Sequence, residues 1–315
     1  MKPHRFQTIY ILLFSLLLAD EPVFKIVPLG VKGGEDESNL SSYMVAPIHS
    51  DNFICLDAGT LHAGIVKAID KGVFKKTAKY VLENNIKAYL ISHAHLDHIA
   101  GLIINSPSDS PKNIYALPHV LDIIVDKYFS WDNWANFTDR GEEPKLNKYH
   151  LQSLYLDTEV AIQNTDMSVK VFELSHVNPY KSSAFLIRHN ESSVLYLGDT
   201  GSDIIEKSTS LNYLWEKIAP LIISKQLKAI FMEVSFPNSQ PNNYLYGHLT
   251  PRLFFNESEV LESYLGENGL SDFPIIVIHR KPNGNNEEII KSELLKNNVF
   301  NINLIFPEQG RLLTF

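Results

Sequence analysis

The chain of 315 residues holds a single cysteine, Cys55, which excludes an internal disulfide. Cys55 lies in the apolar run Phe53–Leu56, so it reads as a buried core thiol rather than a nucleophile. Basic charge is scarce too. Against 36 Asp and Glu stand 28 Lys and Arg, a formal net charge of −8. There is no basic run or stripe, which argues against a long nucleic acid as partner. A phosphate-binding P-loop is also missing, because the glycine-rich stretch at 30–36 is not followed by Gly-Lys-Ser/Thr. No internal repeat or low-complexity linker divides the chain. The apolar run at 9–19 falls short of the ~20 residues that span a membrane. It is preceded by Lys2 and Arg5 and broken by Asp20-Glu21-Pro22, the layout of a secretory signal peptide covering 1–19. No cysteine follows the run, so a lipoprotein anchor is not expected. The expectation is export, to the periplasm or beyond, with no stable membrane association once the signal is removed. Loss of Lys2 and Arg5 leaves 26 basic and 36 acidic residues, a net charge of −10.

Histidine is what the chain has in a pattern. Of its 12 histidines, three fall in His93-Ala-His95-Leu-Asp97-His98. The residues before this stretch, 86–91, read as a buried strand, and those after it, 99–104, as the start of a core helix. A strand-to-helix loop lets several side chains converge on one point. Imidazole suits Zn²⁺, and a neighbouring carboxylate supplies a harder ligand. The same arrangement, an apolar strand ending in His or Asp, recurs at Asp57, His176, Asp199 and His279. Gly198 before Asp199 permits a close approach.

Further strands are expected over 23–29, 42–47, 52–56, 113–117, 154–156, 160–163, 169–174, 183–188, 194–197, 229–234, 275–278, 302–306 and 311–315. Helical spacing runs over 64–85, 118–129, 211–225, 250–268 (in two pieces) and 287–296. The polar and aromatic stretch 130–148 reads as a long loop, either a lid or a surface-packed segment. Strands come in two batches, each followed by helices. That predicts an α+β fold, with residues 20–315 forming one domain of two sheets between outer helices.

The order Asp57, His93-x-His95-x-Asp97-His98, His176, Asp199, His279 resembles the metallo-β-lactamase superfamily, an αββα sandwich with two mixed sheets. Within it the match is to the class II cyclic-nucleotide phosphodiesterases. Their signature run is similar to His93-Ala-His95-Leu-Asp97-His98-Ile-Ala-Gly101-Leu-Ile-Ile-Asn-Ser106-Pro107. Cys55-Leu-Asp57-Ala-Gly59-Thr60, Ser182-Ser183-Ala184-Phe185, Glu233-Val-Ser235-Phe and Gly247-His248-Leu-Thr-Pro251 also look like that family. Trp134-Ala135 departs from it, since the family favours Pro after the Trp.

The resemblance implies two metals. His93, His95 and His176 would hold the first, and Asp97, His98 and His279 the second. Asp199 would bridge them, and Asp57 would orient a ligand histidine from behind. Five imidazoles among seven ligands favour two Zn²⁺, with manganese or iron compatible at one position. The implied reaction is hydrolysis of 3′,5′-cyclic nucleotides (cyclic AMP, cyclic GMP or both) to nucleoside 5′-monophosphates by a hydroxide shared between the metals. Asp97 takes part as a ligand at the reacting centre. His248, supported by Glu233, is the candidate proton donor to the leaving oxygen. The alternatives are another hydrolase of this fold, acting on RNA or on an acyl bond, and a non-catalytic zinc- or nucleotide-binding protein. Neither the preferred base nor the oligomeric state is encoded legibly; a homodimer is compatible with the sequence.

Overall fold

The computed structural model describes residues 21–315, so the expected signal segment, 1–19, lies outside the described residues. Strands β1 (Phe24–Gly30), β2 (Ser42–Pro47), β3 (Phe53–Leu56), β4 (Ile86–Leu90), β5 (Lys112–Ala116) and β6 (Tyr149–Ser153) lie side by side in chain order. So do β7 (Glu159–Ile162), β8 (Met167–Ser175), β9 (Lys181–His189), β10 (Ser192–Leu197), β11 (Leu227–Glu233), β12 (Pro274–Ile278) and β13 (Asn303–Ile305), in a second sheet. The last strand, β14 (Leu313–Thr314), returns to the first sheet and pairs with β1. Both sheets are mixed. Pairing is antiparallel from β14 through β3 and from β7 through β10, and parallel from β3 to β6 and from β10 to β13.

The first half contributes α1 (His62–Asp70), α2 (Ala78–Tyr80, running into a π turn at Val81–Asn85), α3 (Leu96–Asn105) and α4 (Pro118–Ile123). The second contributes α5 (Asp203–Glu206), α6 (Ser210–Ile223), α7 (Pro251–Leu265) and α8 (Asn286–Lys296). Alternation along each strand explains the layering. In β10 and β11, Val194, Tyr196, Ala229 and Phe231 face the first sheet, and the Tyr43 ring meets Tyr196 at 5.9 Å and Phe231 at 5.4 Å. Their neighbours Leu195, Ile230 and Met232 point outward onto Leu214 and Trp215 of α6 and Leu253 and Phe254 of α7. Because both faces are covered, these strands read as near-continuous apolar runs. The result is the expected αββα sandwich.

Three expected elements differ. The helix over 64–85 breaks after Asp70. Gly72 takes φ +77°, and the Val73 N–H reaches back 2.9 Å to the Ala68 carbonyl, closing α1 although the apolar spacing continues beyond it. The strand over 154–156 is absent: Leu154 is buried, but Tyr155 and Leu156 are exposed. The strand lies earlier, at β6, where alternating polar residues disguised it. The two helical pieces over 250–268 are one helix, α7, capped by the Thr250 hydroxyl accepting from the Leu253 N–H.

The stretch 130–148 is a pinned loop. Buried Asn136 donates to the Arg140 and Glu142 carbonyls, and the Trp134 indole donates to Ser106 Oγ at 3.0 Å.

The topology places the site. In the first sheet β3 and β4 run parallel; in the second, β8, β10, β11 and β12 share one direction, β8 through two antiparallel steps. The carboxyl ends of these strands therefore gather their following residues at one edge of the sandwich.

Candidate metal centre

The loop after β4 carries Ser92 and His93 and enters α3 at His95, in its extended cap position. Helix α3 docks on the turn after β3. Its Gly101 leaves no room for a Cβ, which would come within 2.9 Å of the Ala58 and Gly59 carbonyl oxygens. The Ala58 N–H in turn donates to the His98 carbonyl at 2.7 Å. Asp57 (φ +51°) and His279 (φ +58°) both sit in the left-handed region at strand ends. Such conformations cost about 1–3 kcal/mol and persist where surrounding contacts impose them.

Every residue expected in the site converges here. One ligand atom from each of His93, His95 and His176 lies within 4.8 Å of the others; the same holds for Asp97, His98, Asp199 and His279. Asp199 stands between the two sets. Its Oδ2 is 3.2 Å from His98 Nε2 and His279 Nε2, and 3.8 Å from His93 Nε2.

His93, His98, His176 and His279 are held from behind, which leaves the other ring nitrogen to face the centre. Buried Asp57 accepts from the Ser92 N–H (2.7 Å), the Ser92 hydroxyl (2.8 Å), the Tyr196 hydroxyl (2.6 Å) and His98 Nδ1 (2.7 Å). With its proton given to Asp57, Ser92 Oγ can only accept from His93 Nδ1, at 3.0 Å. His176 Nδ1 donates to the Gly247 carbonyl at 2.9 Å. Ser235 donates to Glu233 or to the His279 carbonyl, and so accepts from His279 Nδ1 at 2.9 Å.

The inward-facing nitrogens consequently meet only one another and the carboxylates of the site, His279 Nε2 lying 3.1 Å from Asp97 Oδ2. His93 Nε2 is buried with no hydrogen-bond partner. His98 Nε2 and His279 Nε2 face each other at 3.2 Å, and His176 Nε2 faces His95 Nδ1 at 3.3 Å. With both Nδ1 atoms donating outward, the lone pairs of His98 and His279 repel unless a cation, a proton or a metal ion, lies between them. The donor set therefore suits divalent metal ions.

Electrostatics divide the set. Burial pushes His93, His95 and His176 down, His176 to about 4, so all three are neutral at pH 7. Burial disfavours the charged form of His98 too, but Asp199, Asp57 and Asp97 prevail and raise its affinity for a second proton, so positive charge is favoured at the place a metal ion would fill. Burial opposes ionisation of Asp199 and Asp97, yet positive charge at His279 and His98 holds both carboxyls well below their usual range.

Beside this set, His248 Nδ1 meets Glu233 Oε1 at 2.8 Å, which leaves Nε2 free. The imidazole of His248 stacks on His279, with centroids 5.1 Å apart. Burial and the Lys281 ammonium disfavour its protonated form, but Glu233 and Asp199 prevail and raise its affinity for a proton. Glu233 is fully buried, and also accepts from the Thr200 N–H at 3.0 Å.

The model for the class-II cAMP phosphodiesterases matches residues 23–299. The chain belongs to that family. This class-II phosphodiesterase is 40% identical to the 3′,5′-cyclic-nucleotide phosphodiesterase of Aliivibrio fischeri, with 93% of each chain covered. Its fold is similar to that of unliganded yeast PDE1, with a TM-score of 0.83 and 23% identity over 93% of this chain and all of that one. It is also similar to YhfI of Bacillus subtilis, a metallo-β-lactamase fold protein, with a TM-score of 0.61 and 15% identity over 93% and 99% of the two chains.

Sequence reasoning missed the residues that hold the phosphodiesterase's histidines in place. Ser92 and Tyr196 have no signal of their own beyond proximity to His93 and Asp199. Gly247 lies in a stretch that resembles the family, but the bond its carbonyl accepts from His176 crosses 71 positions. Ser235 lies in a stretch that resembles the family, but its bond to His279 crosses 44 positions. Gly33 is a further case, because a Cβ there would fall 2.2 Å from the His279 ring.

Proposed function

We propose that this phosphodiesterase opens 3′,5′-cyclic nucleotides to nucleoside 5′-monophosphates with two zinc ions. The observation that carries the reading is the family match across residues 23–299. In this reading His93, His95 and His176 would hold one ion, Asp97, His98 and His279 the other, and Asp199 would serve both. Bound metals supply an acidified water and positive charge beside the phosphoryl oxygens.

The chain's own residues prepare and finish the reaction. Asp57 fixes the His98 tautomer directly and that of His93 through Ser92. Asp97 Oδ2 is itself steadied by the Gly34 N–H at 2.9 Å. As water adds to phosphorus, the P–O3′ bond breaks and O3′ leaves as an alkoxide that needs a proton. His248 supplies it from Nε2, while Glu233 stabilises the imidazolium from the Nδ1 side.

The test is turnover of cyclic AMP with product identification. Adenosine 5′-monophosphate supports the reading. Formation of the 3′-monophosphate removes it, as does inertness of metal-loaded protein. Turnover of a structured RNA, a thioester or a β-lactam in its place selects one of the other hydrolases.

Residues 1–19 are read as an export signal and 20–315 as one domain. A mature chain beginning at Asp20 outside the cytoplasm supports export; retention of Met1 in the cytosol opposes it.

A further inference from the structure

A cavity of about 430 Å³ opens directly beside Asp97, within the size range of small-molecule sites. Leu40 and the exposed Leu96 give it an apolar wall, Glu35 and Glu37 an acidic one, and Lys281 is, among the described residues, the one cation lining it. Lys281 follows His279 by two residues. Its N–H donates to the Ser235 carbonyl at 3.3 Å, so the serine that supports His279 also pins Lys281. The ammonium lies 5.7 Å from the centroid of the Phe236 ring, whose edge meets His248 with centroids 5.8 Å apart. A Cβ on Gly34 would come within 3.5 Å of Lys281 Nζ, and the Gly34 N–H is the group bonded to Asp97. The ammonium is thus held at the rim of the metal centre.

What Lys281 lacks is an anion. Lys32 bridges Asp36 and Glu287, and Arg280 has Glu287. Among the described residues, Lys281 Nζ has neither a carboxylate within 4.0 Å nor a hydrogen bond, although the residue is only partly exposed. An ammonium beside a cation-binding cluster is repelled by it, unless an anion lies between the two. A cyclic nucleotide carries one negative charge on its phosphoryl group and would bring its own anion to that gap.

We propose that Lys281 is the substrate-binding cation of this site, its ammonium donating to a non-bridging phosphoryl oxygen on the side away from the metals. The proposal rests on the cyclic-nucleotide reading for its substrate, but its physical content is an oxyanion subsite. Glu35 and Glu37 on the same cavity work against ligands of higher negative charge, which favours a monoanion over a polyanionic strand.

The test uses metal-loaded protein of measured metal content and inorganic phosphate as probe, by titration calorimetry. Lys281→Met should weaken phosphate binding about tenfold, the scale of one charge-assisted hydrogen bond, with metal content unchanged. Lys281→Arg, which keeps the charge, should stay within about threefold of the parent. With cyclic AMP, Lys281→Met should raise KM by a similar factor and change kcat less. Unchanged phosphate affinity in Lys281→Met overturns the proposal, and so does equal weakening in both variants. If the parent protein fails to hydrolyse any cyclic nucleotide, the functional reading falls, while the phosphate titration still decides the Lys281 subsite by itself.

Discussion

Replacement of Asp57 by Asn tests the architecture of the centre at a residue that lies behind His98 rather than among the proposed ligand atoms. Asp57 is fully buried and accepts four hydrogen bonds, from Ser92 N–H, Ser92 Oγ, Tyr196 and His98 Nδ1. An Asn keeps the shape but turns one acceptor oxygen into an NH₂ donor. That oxygen is Oδ1 or Oδ2. If Oδ2 is lost, the new amide faces His98 Nδ1–H, the Tyr196 hydroxyl and the Ser92 hydroxyl. His98 can relieve the clash only by moving its proton to Nε2, which removes its lone pair from the centre. If Oδ1 is lost, the buried Ser92 N–H has no acceptor. Loss of such a supporting contact typically costs 10–100-fold in metal affinity, equivalent to about 1.4–2.7 kcal/mol. A donor left buried without an acceptor costs a further about 1–3 kcal/mol of stability even without metal. Zinc affinity is measured by competition with a chromophoric chelator, and the stability of chelator-treated protein by urea unfolding. Zinc affinity within twofold of the parent, in a folded variant, would show that Asp57 does not support the metal-binding histidines.

Three other perturbations follow from the same geometry. Asp199→Ala should abolish turnover and release at least one metal ion, measured by elemental analysis; an active, fully metallated variant contradicts the bridging role proposed for it. His248→Ala should cut turnover by roughly a hundredfold or more with metal retained, the scale of lost proton transfer; unchanged kcat returns His248 to a packing role. Glu257, buried on α7 between the Asp203 N–H and the Trp215 indole, is pushed by burial from 4.5 to about 7. A folded-state value above the unfolded one gives stability that is complete below about pH 4.5 and is lost as pH rises through about 7. The gap corresponds to about 3 kcal/mol. Glu257→Gln should therefore flatten the decline of stability between pH 5 and 8, followed by urea unfolding; parallel pH curves for parent and variant contradict the assignment.

The strand ends were legible in the sequence because each coupled an apolar run to a His or Asp at its carboxyl end. Burial on both sides made those runs conspicuous. Parallel order then forced the ends to one edge, so residues as distant as His98 and His279 meet. The supporting contacts were not legible for the same physical reason. Tyr196 reaches Asp57 across 139 positions through a sheet-on-sheet contact, and nothing in its local pattern distinguishes it from the core tyrosines Tyr43 and Tyr89. Strand β6 escaped notice because His150 and Gln152, on the face opposite Tyr149 and Leu151, break up its apolar run along the sequence. Helix α1 ended early because Gly72 adopts a conformation open to it and strained for other residues, and apolar spacing does not report that. The site's chemistry thus lies in residue types, whereas its precision lies in pairings that exist only in the folded chain.

That metals held by this His/Asp set open a cyclic phosphodiester at its 3′ oxygen is tested most simply by zinc titration of chelator-treated protein while cyclic AMP is consumed and its products are separated. The expected outcome is no turnover without metal, a rise that saturates at two zinc ions per chain, and adenosine 5′-monophosphate as the sole product. Turnover in the metal-free protein, or the 3′-monophosphate as product, would contradict it.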